Sequence, residues 1–124
     1  MRLWHYALIP KLPTAQLNGQ WRKCLALLGN GWGKRHSTVD YVFKYYESYL
    51  VSYTYLVAAE KRKRGHNPNL RLIRRQLEKR LSEKDTTQAI FMATNFKCPM
   101  YPEHNDAYYN GCIENLKNKG VEIE

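Results

Sequence analysis

The sequence predicts an all-α fold, a compact bundle of five or six helices in one domain spanning residues 1–124. Three observations support this prediction. Apolar residues recur at helical spacing in several segments, strand patterns are sparse, and helix-starting and helix-stopping residues separate the segments. The 124 residues suit one ordinary domain, and 44% hydrophobic with 25% charged residues are typical of a globular chain.

The first half of the chain contains two predicted helices and a glycine-rich loop. The first helix opens at residues 12–14, where Pro13 can occupy the first turn or Thr14 can cap it. Its apolar stripe consists of Leu17, Trp21, Cys24 or Leu25, and Leu28. The glycine-rich loop follows at residues 29–36. Ser37 or Thr38 then caps a short helix that extends to about residue 46.

The second half contains a long helix over residues 47–64, which ends at Gly65, and a turn at residues 66–69. The inner face of the next helix consists of Leu70, Ile73, Leu77 and Leu81. A short segment then starts at Thr86 or Thr87 and continues to about residue 94. The last helix opens at Pro102 and ends before Gly120. The many Tyr and Trp residues predict a core of large rings whose polar tips need partners.

The chain is strongly basic, with 20 Lys and Arg against 11 Asp and Glu and a net charge of +9. A domain with this charge attracts polyanions, of which nucleic acid and anionic membrane surfaces are the common ones. No apolar run approaches the roughly 18 residues of a spanning helix. The first ten residues also make too short an apolar run for a signal peptide, so we expect a cytoplasmic protein that is not inserted in a membrane.

Two apparent motifs do not meet the requirements of their chemistry. The loop from Gly29 to Lys34 lacks the spacing of a phosphate loop, and Arg35 stands where a Mg²⁺-binding hydroxyl is needed. The set Cys98, His104 and Cys112 lacks the paired cysteines of a zinc site. We therefore expect no metal, and we expect the three cysteines, including Cys24, to be reduced thiols, with Cys24 and Cys112 in the core.

Three basic features admit both a structural and a functional interpretation. The run of residues 61–64 closes the long helix, where cations stabilise the exposed carbonyls or contact phosphates. A second row, Arg71, Arg75 and Lys79, is favoured as a solvated face. The loop at residues 31–36 combines glycine, an aromatic ring and cations, which indicates either a phosphate and base contact or a surface loop held by a buried Trp32.

Several strings in the chain resemble the pyrimidine-dimer DNA glycosylase family, also called the endonuclease V family, and most closely its compact bacterial branch. The strings are MRLWH at 1–5, QWR at 20–22, GWGK at 31–34, HSTV at 36–39 and YVF at 41–43. The match continues with KRG at 63–65 and YPEH at 101–104. It covers roughly residues 1–67 and 101–120, whereas residues 68–97 do not match.

The resemblance implies a compact all-α fold and a chemistry that uses the chain's own N-terminal amine, with no cofactor. The amine attacks C1′ of a damaged nucleotide, expels the base and leaves an imine, and a glutamate then assists β-elimination. An α-amine has a pKa of about 8, against about 10.4 for Lys, so a useful fraction is neutral near neutral pH. Arginines on the first helix hold the phosphates of a kinked duplex with a flipped base.

The family's functional positions are only partly matched in this chain. The resemblance makes Met1 the source of the amine, and Arg22 matches a family arginine beside the catalytic carboxylate. Lys23 stands where the family has its glutamate, which reverses the charge at the elimination position. We assign Met1, Arg22 and Lys23 as catalytic candidates. The DNA-binding candidates are Trp21, Arg22, Trp32, Lys34, Arg35, His36 and Lys117.

Three functions remain open at this point. The first is a glycosylase and abasic-site lyase, or a relative of it weakened by Lys23, and the second is a catalytically silent DNA-binding descendant. The third is a small basic domain that binds RNA or protein. For the first two, the expected partner is damaged or abasic double-stranded DNA bound by a monomer. Carboxylates that can replace the family glutamate are Asp40, Glu47, Glu103 and Asp106.

Overall fold

The computed structural model describes residues 2–34, 38–95 and 100–123, and these residues form helices and turns without a strand. The five α-helices are α1 Thr14–Leu28, α2 Glu47–Lys63, α3 Arg71–Glu78, α4 Glu83–Asn95 and α5 Asp106–Asn118. Two 3₁₀ helices cover Tyr6–Lys11 and Asp40–Lys44. The predicted all-α fold is confirmed.

The bounds of α1 and α2 agree with the sequence prediction within one residue at each end. Helix α1 starts after Pro13 and ends at Gly29, whose N–H donates to the Leu25 carbonyl at 3.3 Å. Helix α2 ends at Lys63, and Gly65 follows with a φ of +88°. A positive φ is the left-handed conformation that glycine adopts without strain, and here it terminates the helix.

The later helices differ from their predicted bounds. The predicted inner face through Leu81 is wrong in its extent, because α3 ends at Glu78 and Ser82 caps the next helix by accepting from the Asp85 N–H at 3.1 Å. Helix α4 therefore starts at Glu83, before the predicted Thr86 or Thr87. Helix α5 starts at Asp106 rather than near Pro102, because the Asn105 side chain accepts from the Tyr108 N–H at 2.9 Å.

Two short 3₁₀ helices flank α1 in the chain, and only the second overlaps a predicted helix. The sequence prediction placed an α-helix up to residue 46, whereas the structure has a 3₁₀ helix over Asp40–Lys44. No element was predicted before α1. The 3₁₀ helix at Tyr6–Lys11 begins at His5, whose Nδ1 accepts from the Ala7 N–H at 3.0 Å. It is only six residues long and contains Pro10, so it is too short to show an apolar period in the sequence.

Helix α2 is the centre of the bundle and packs against α1, α4 and both 3₁₀ helices. Leu17 and Leu28 of α1 and Leu50 and Val57 of α2 are fully buried. The 3₁₀ helix before α1 adds Leu8 and Ile9 to this core, and α3 and α5 add further leucines and Ile73. The buried face of α1 therefore holds its opposite face, with Arg22, toward solvent.

A cluster of histidine and tyrosine rings fills the core between residues 2–6 and α5. His104 stacks on Tyr108 with ring centroids 4.7 Å apart, and His5 stacks on His104 at 5.4 Å. The Tyr41 hydroxyl lies 2.6 Å from His104 Nε2. The predicted core of large rings with partnered polar tips is confirmed for these residues.

Burial makes both core histidines hard to protonate. Desolvation and the neighbouring His5 lower the pKa of His104 to about 3. Desolvation also lowers the pKa of His5, although a hydrogen bond and the charge of Asp106 act in the opposite direction. Lowering the pH therefore destabilises the folded protein, because the unfolded chain binds protons on these two rings at a higher pH.

We predict that the free energy of unfolding falls as the pH is lowered from 7 to 5. His104 alone contributes a loss of about 2 kcal/mol, because it titrates near pH 6.5 when unfolded and near 3 when folded. Urea unfolding at the two pH values measures this loss. His104→Gln should flatten the pH dependence, whereas His66→Gln, in an exposed turn, should preserve it. A wild-type pH dependence in His104→Gln contradicts the prediction.

Candidate nucleic-acid interface

Side chains of α1 and α2 hold the backbone of the N-terminal segment, which we define as residues 2–6. The Gln20 Oε1 accepts from the Trp4 N–H at 2.7 Å, and its Nε2 lies 3.4 Å from the Arg2 carbonyl, to which it donates. The Tyr53 hydroxyl donates to the Trp4 carbonyl at 2.5 Å. Two buried side chains, each from a different helix, thus take the place of a neighbouring strand.

Helix α5 and the turn before it hold the other edge of the same segment. The Tyr108 hydroxyl donates to the Leu3 carbonyl, and the Tyr6 N–H donates to His104 Nδ1 at 3.3 Å. Leu3 is fully buried and Trp4 is nearly so. The position of Arg2 at the start of the segment is therefore fixed by three helices, whereas Met1 lies outside the described residues.

A cavity of about 250 Å³ adjoins the N-terminal segment. Its walls combine small residues, two amide side chains, an indole and two cations: Arg2, Trp4, Ala15, Gln16, Gly19, Gln20 and Lys119. The Lys119 ammonium lies 5.3 Å from the Trp4 ring centroid. The described residues that line this cavity include no carboxylate, so it offers hydrogen bonds and positive charge to a bound group.

Lys23 lies one helical turn beyond this cavity on α1. It follows Gly19 by four residues, so the two share a face of the helix about 6 Å apart along its axis. Lys23 is half-buried, whereas Arg22 is exposed and its guanidinium reaches back toward Gly19. The same face of α1 therefore carries Lys23 and residues that line this cavity.

A shallow basic groove runs between α1, the glycine-rich loop and α3, with a volume of about 420 Å³. Its three cations, Arg22, Lys34 and Lys79, come from three different elements. The remaining lining is uncharged: Leu25, Ala26, Asn30, Gly31 and Gln76. The structure therefore brings two of the predicted DNA-binding residues together. It adds Lys79, for which the sequence spacing had favoured a solvated face.

Lys61 places a further cation beside Arg22. Its ammonium donates to Asn18 Oδ1 at 2.8 Å and lies 6.0 Å from the Trp21 ring centroid. Partial burial and the positive charge of Arg22 lower the pKa of Lys61. The positive charges of Arg22 and Lys61 repel each other, and a bound anion would relieve that repulsion.

The four basic residues that close α2 face different parts of the protein. Lys61 turns toward α1, whereas Arg64 pairs with Glu60 at 2.8 Å and donates to the Pro10 carbonyl at 3.1 Å. Arg62 and Lys63 are exposed. The run is therefore not one uniform patch, and the structural and functional interpretations apply to different members of it.

The glycine-rich loop is held against the bundle by its tryptophan. The Trp32 ring contacts the edge of Phe43 at a centroid distance of 5.0 Å, and the Arg80 guanidinium lies 4.4 Å from its centroid. Arg80 also donates to the Leu28 carbonyl at 2.8 Å and pairs with Glu47 at 3.1 Å. Trp32 thus has the anchoring role of the structural interpretation, and its contact with a base stays a prediction.

The other predicted DNA-binding residues lie elsewhere. Trp21 is only 7% exposed and belongs to the core. Lys117 is exposed in the last turn of α5 and lines neither the cavity nor the groove. Arg35 and His36 lie outside the described residues.

The carboxylates considered as replacements for the family glutamate are mostly engaged elsewhere. Glu47 pairs with Arg80, and Glu103 accepts from the Tyr45 hydroxyl at 2.8 Å. Asp40 lies in the second 3₁₀ helix. Asp106 interacts electrostatically with His5 of the N-terminal segment and is exposed. None of the four lines the N-terminal cavity.

The cysteines that the structure describes are buried thiols, as predicted. Burial raises the pKa of Cys24 to about 12 and also raises the pKa of Cys112. Cys98 lies outside the described residues. Within the described part of the chain, no three His, Cys, Asp or Glu side chains come together in a group that can hold a metal ion. No helix there is long and apolar enough to cross a membrane.

The first 74 residues of the chain match a known protein family. A family model described as pyrimidine dimer DNA glycosylase matches residues 1–74. The matched residues include the N-terminal segment, α1, the glycine-rich loop, α2 and the first half of α3. No curated protein and no solved structure matches the chain. The family match covers more than half of the sequence, and this chain belongs to the pyrimidine dimer DNA glycosylase family.

Proposed function

We propose that this protein is a cytoplasmic, monomeric, single-domain DNA-repair enzyme that binds damaged double-stranded DNA. In this proposal the α-amine of Met1 removes the damaged base, and Lys23 weakens the strand-cleavage step that follows. The observation that carries the proposal is the N-terminal segment. Buried side chains of α1 and α2 hold this segment beside a cavity whose described lining contains no carboxylate. Helix α1 lines that cavity and also carries Arg22 of the basic groove.

The amine step needs a neutral nucleophile in a fixed place. The neutral α-amine adds to C1′, and the C1′–N bond breaks with its electron pair leaving on the base, which takes up a proton. The nitrogen then loses a proton, and the C1′–O4′ bond breaks with its electron pair staying on O4′, which takes up a proton. The product is an imine between the opened sugar and Met1. A primary amine with a pKa near 8 supplies the neutral form without a deeply buried lysine. Holding Arg2 limits the volume that the preceding amine can explore, which favours attack on a bound sugar.

The DNA grip in this proposal is electrostatic. Arg22, Lys34 and Lys79 line one groove, and Lys61 extends the positive surface along α1. These cations contact phosphates, which are present at every step of the duplex, so they position the DNA without reading its sequence. The cavity beside residues 2–6 takes the sugar or base of the extruded nucleotide, to which Gln16 and Gln20 present amide groups.

Strand cleavage requires a base that removes the C2′ proton and expels the 3′ phosphate. A protonated lysine is a poor base, and its charge opposes the cationic imine. Two like charges about 5 Å apart repel by about 3 kcal/mol at an effective dielectric constant near 20. A penalty of that size slows the step by roughly a hundredfold. We therefore expect imine formation to be faster than strand cleavage in this protein.

A second candidate function is DNA binding without catalysis. Lys23 and the carboxylate-free lining of the N-terminal cavity favour it, because both remove the acid that the family uses. In that case Lys23 becomes one more phosphate contact. The two functions differ in one observable, since only the enzyme forms a covalent imine with abasic-site DNA.

We predict that DNA affinity falls steeply with salt and that groove cations set the slope. Each phosphate contact contributes about 0.9 to the slope of log affinity against log salt. Arg22→Gln and Lys79→Gln should each reduce that slope by about 0.9 and should weaken binding to all sequences alike.

Duplex titrations between low and moderate salt measure this slope. Arg74→Gln is the matched control on α3, because its guanidinium donates to Thr87 Oγ1 at 2.7 Å and does not line the groove. An unchanged slope in the groove variants contradicts the proposed interface. A loss confined to one DNA sequence makes Arg22 a base-reading residue instead.

We predict that Lys23→Glu raises strand cleavage at an abasic site by at least about tenfold without tightening binding. The carboxylate acts as the base that removes the C2′ proton, so its main effect is on the transition state of elimination. Single-turnover cleavage at saturating enzyme measures the change.

Lys84→Glu provides the control, because it makes the same charge change at an exposed position of α4. It should leave the cleavage rate near that of the wild type. A fast wild type that Lys23→Glu slows would show that Lys23 is itself a working group. Absence of cleavage and of imine in both proteins would leave the DNA-binding function.

A further inference from the structure

A chain of hydrogen bonds runs from the middle of the protein to the N-terminal segment. His104 Nε2 lies 2.6 Å from the Tyr41 hydroxyl, which lies 3.4 Å from the Tyr108 hydroxyl. The Tyr108 hydroxyl in turn donates to the carbonyl of Leu3. At its other end, His104 Nδ1 receives the Tyr6 N–H at 3.3 Å. The chain thus starts and finishes on residues 2–6.

Every proton in this chain has one defined place. A neutral imidazole carries a single N–H, and Nδ1 of His104 already accepts from a backbone amide, so its proton is on Nε2. His104 therefore donates to Tyr41, Tyr41 donates to Tyr108, and Tyr108 donates to Leu3. These donations all run in one direction, toward the Leu3 carbonyl, which favours a single arrangement of the segment.

The rings that take part in this chain of hydrogen bonds are also packed against one another. His104 is 6% exposed and stacks on Tyr108 with an interplanar angle of 15°. The Arg2 guanidinium lies 5.9 Å from the centroid of the same Tyr108 ring. Tyr108 therefore donates to the Leu3 carbonyl and also lies beneath the side chain of Arg2, the preceding residue. His104 and Tyr108 both lie outside the segment of the chain that matches the family model.

We propose that Tyr108, oriented by Tyr41 and His104, positions the N-terminal segment for imine formation. The proposal rests on the proposed function in that it takes the amine at the start of this segment as the nucleophile. Tyr108 is a positioning residue, because it acts on the backbone two residues from Met1 and reaches the amine only through that backbone. The fully buried Leu3 carbonyl has no water to replace Tyr108 when its hydroxyl is removed.

The test compares two tyrosine-to-phenylalanine variants on the same helix. In Tyr108→Phe, we expect single-turnover borohydride trapping on abasic-site DNA to slow by at least about tenfold at saturation, since small displacements of a nucleophile are costly. The Kd for the same DNA should change by less than about twofold. Tyr109→Phe removes a hydroxyl that accepts from the exposed Lys11 ammonium at 3.4 Å, and it should trap at the wild-type rate.

A double variant tests whether the chain acts as a unit. Tyr41→Phe should slow trapping less than Tyr108→Phe does, because Tyr108 keeps its own donation to Leu3. Adding Tyr41→Phe to Tyr108→Phe should cause no further loss, since both changes act on one carbonyl. Independent, multiplicative losses, or a loss that appears in Kd rather than in the trapping rate, overturn the proposal.

Amide exchange of Trp4 and Tyr6 separates this proposal from the proposed function. Exchange at these amides should be at least about tenfold faster in Tyr108→Phe and unchanged in Tyr109→Phe, whether or not the protein reacts with DNA. If the wild type traps no DNA, the proposed function fails, and the exchange rates alone decide whether Tyr108 holds the segment. Wild-type exchange and wild-type trapping in Tyr108→Phe overturn the positioning role.

Discussion

The capture of the N-terminal backbone by buried side chains is the interaction on which the rest of the structure depends. An extended segment without a partner strand leaves its amides and carbonyls unpaired, and each unpaired buried group costs about 1–3 kcal/mol. Gln20, Tyr53 and Tyr108 satisfy those groups from three separate helices. The same contacts tie α1, α2 and α5 to the segment. The packing of these helices and the placement of residues 2–6 therefore depend on each other.

The unbalanced charge on the outer face of α1 is the second constraint. Arg22 lies in a groove with Lys34 and Lys79 and next to Lys61, and no carboxylate lines that groove among the described residues. Such a surface is destabilised by its own repulsion. The fold neutralises its cations elsewhere, as in the pairs Arg80 with Glu47 and Arg64 with Glu60. Leaving one face without acids is consistent with a surface that receives a polyanion.

The sequence predicted the parts of the fold that depend on local chemistry. Apolar period, Pro13, Gly29 and Gly65 were enough to place α1 and α2. The boundary between α3 and α4 was misplaced because a single residue, Ser82, caps a new helix within a continuous apolar pattern. The hold on the N-terminal segment was beyond sequence reasoning, since its partners are 16 to 105 residues away and come from rings and an amide that read as ordinary core residues.

The site was predicted to a similar extent. Arg22 was identified from the family resemblance and Lys34 from the composition of its loop, and the structure brings them together. Lys79 was assigned to a solvated face, because nothing in its spacing shows that α3 turns it toward the glycine-rich loop. For Trp32 the sequence left a ligand contact and an anchoring role equally open, and the structure gives the ring Phe43 and Arg80 as neighbours.

The most direct test of the account is to identify the amine that reacts. The protein, with Met1 as its first residue, is incubated with abasic-site duplex and borohydride, and the trapped adduct is located by peptide mass mapping. We expect a single adduct on the N-terminal peptide, attached to the Met1 α-amine. An adduct on Lys23, or one distributed over the surface lysines, would contradict the claim that the fold holds its N-terminal segment in place for this reaction.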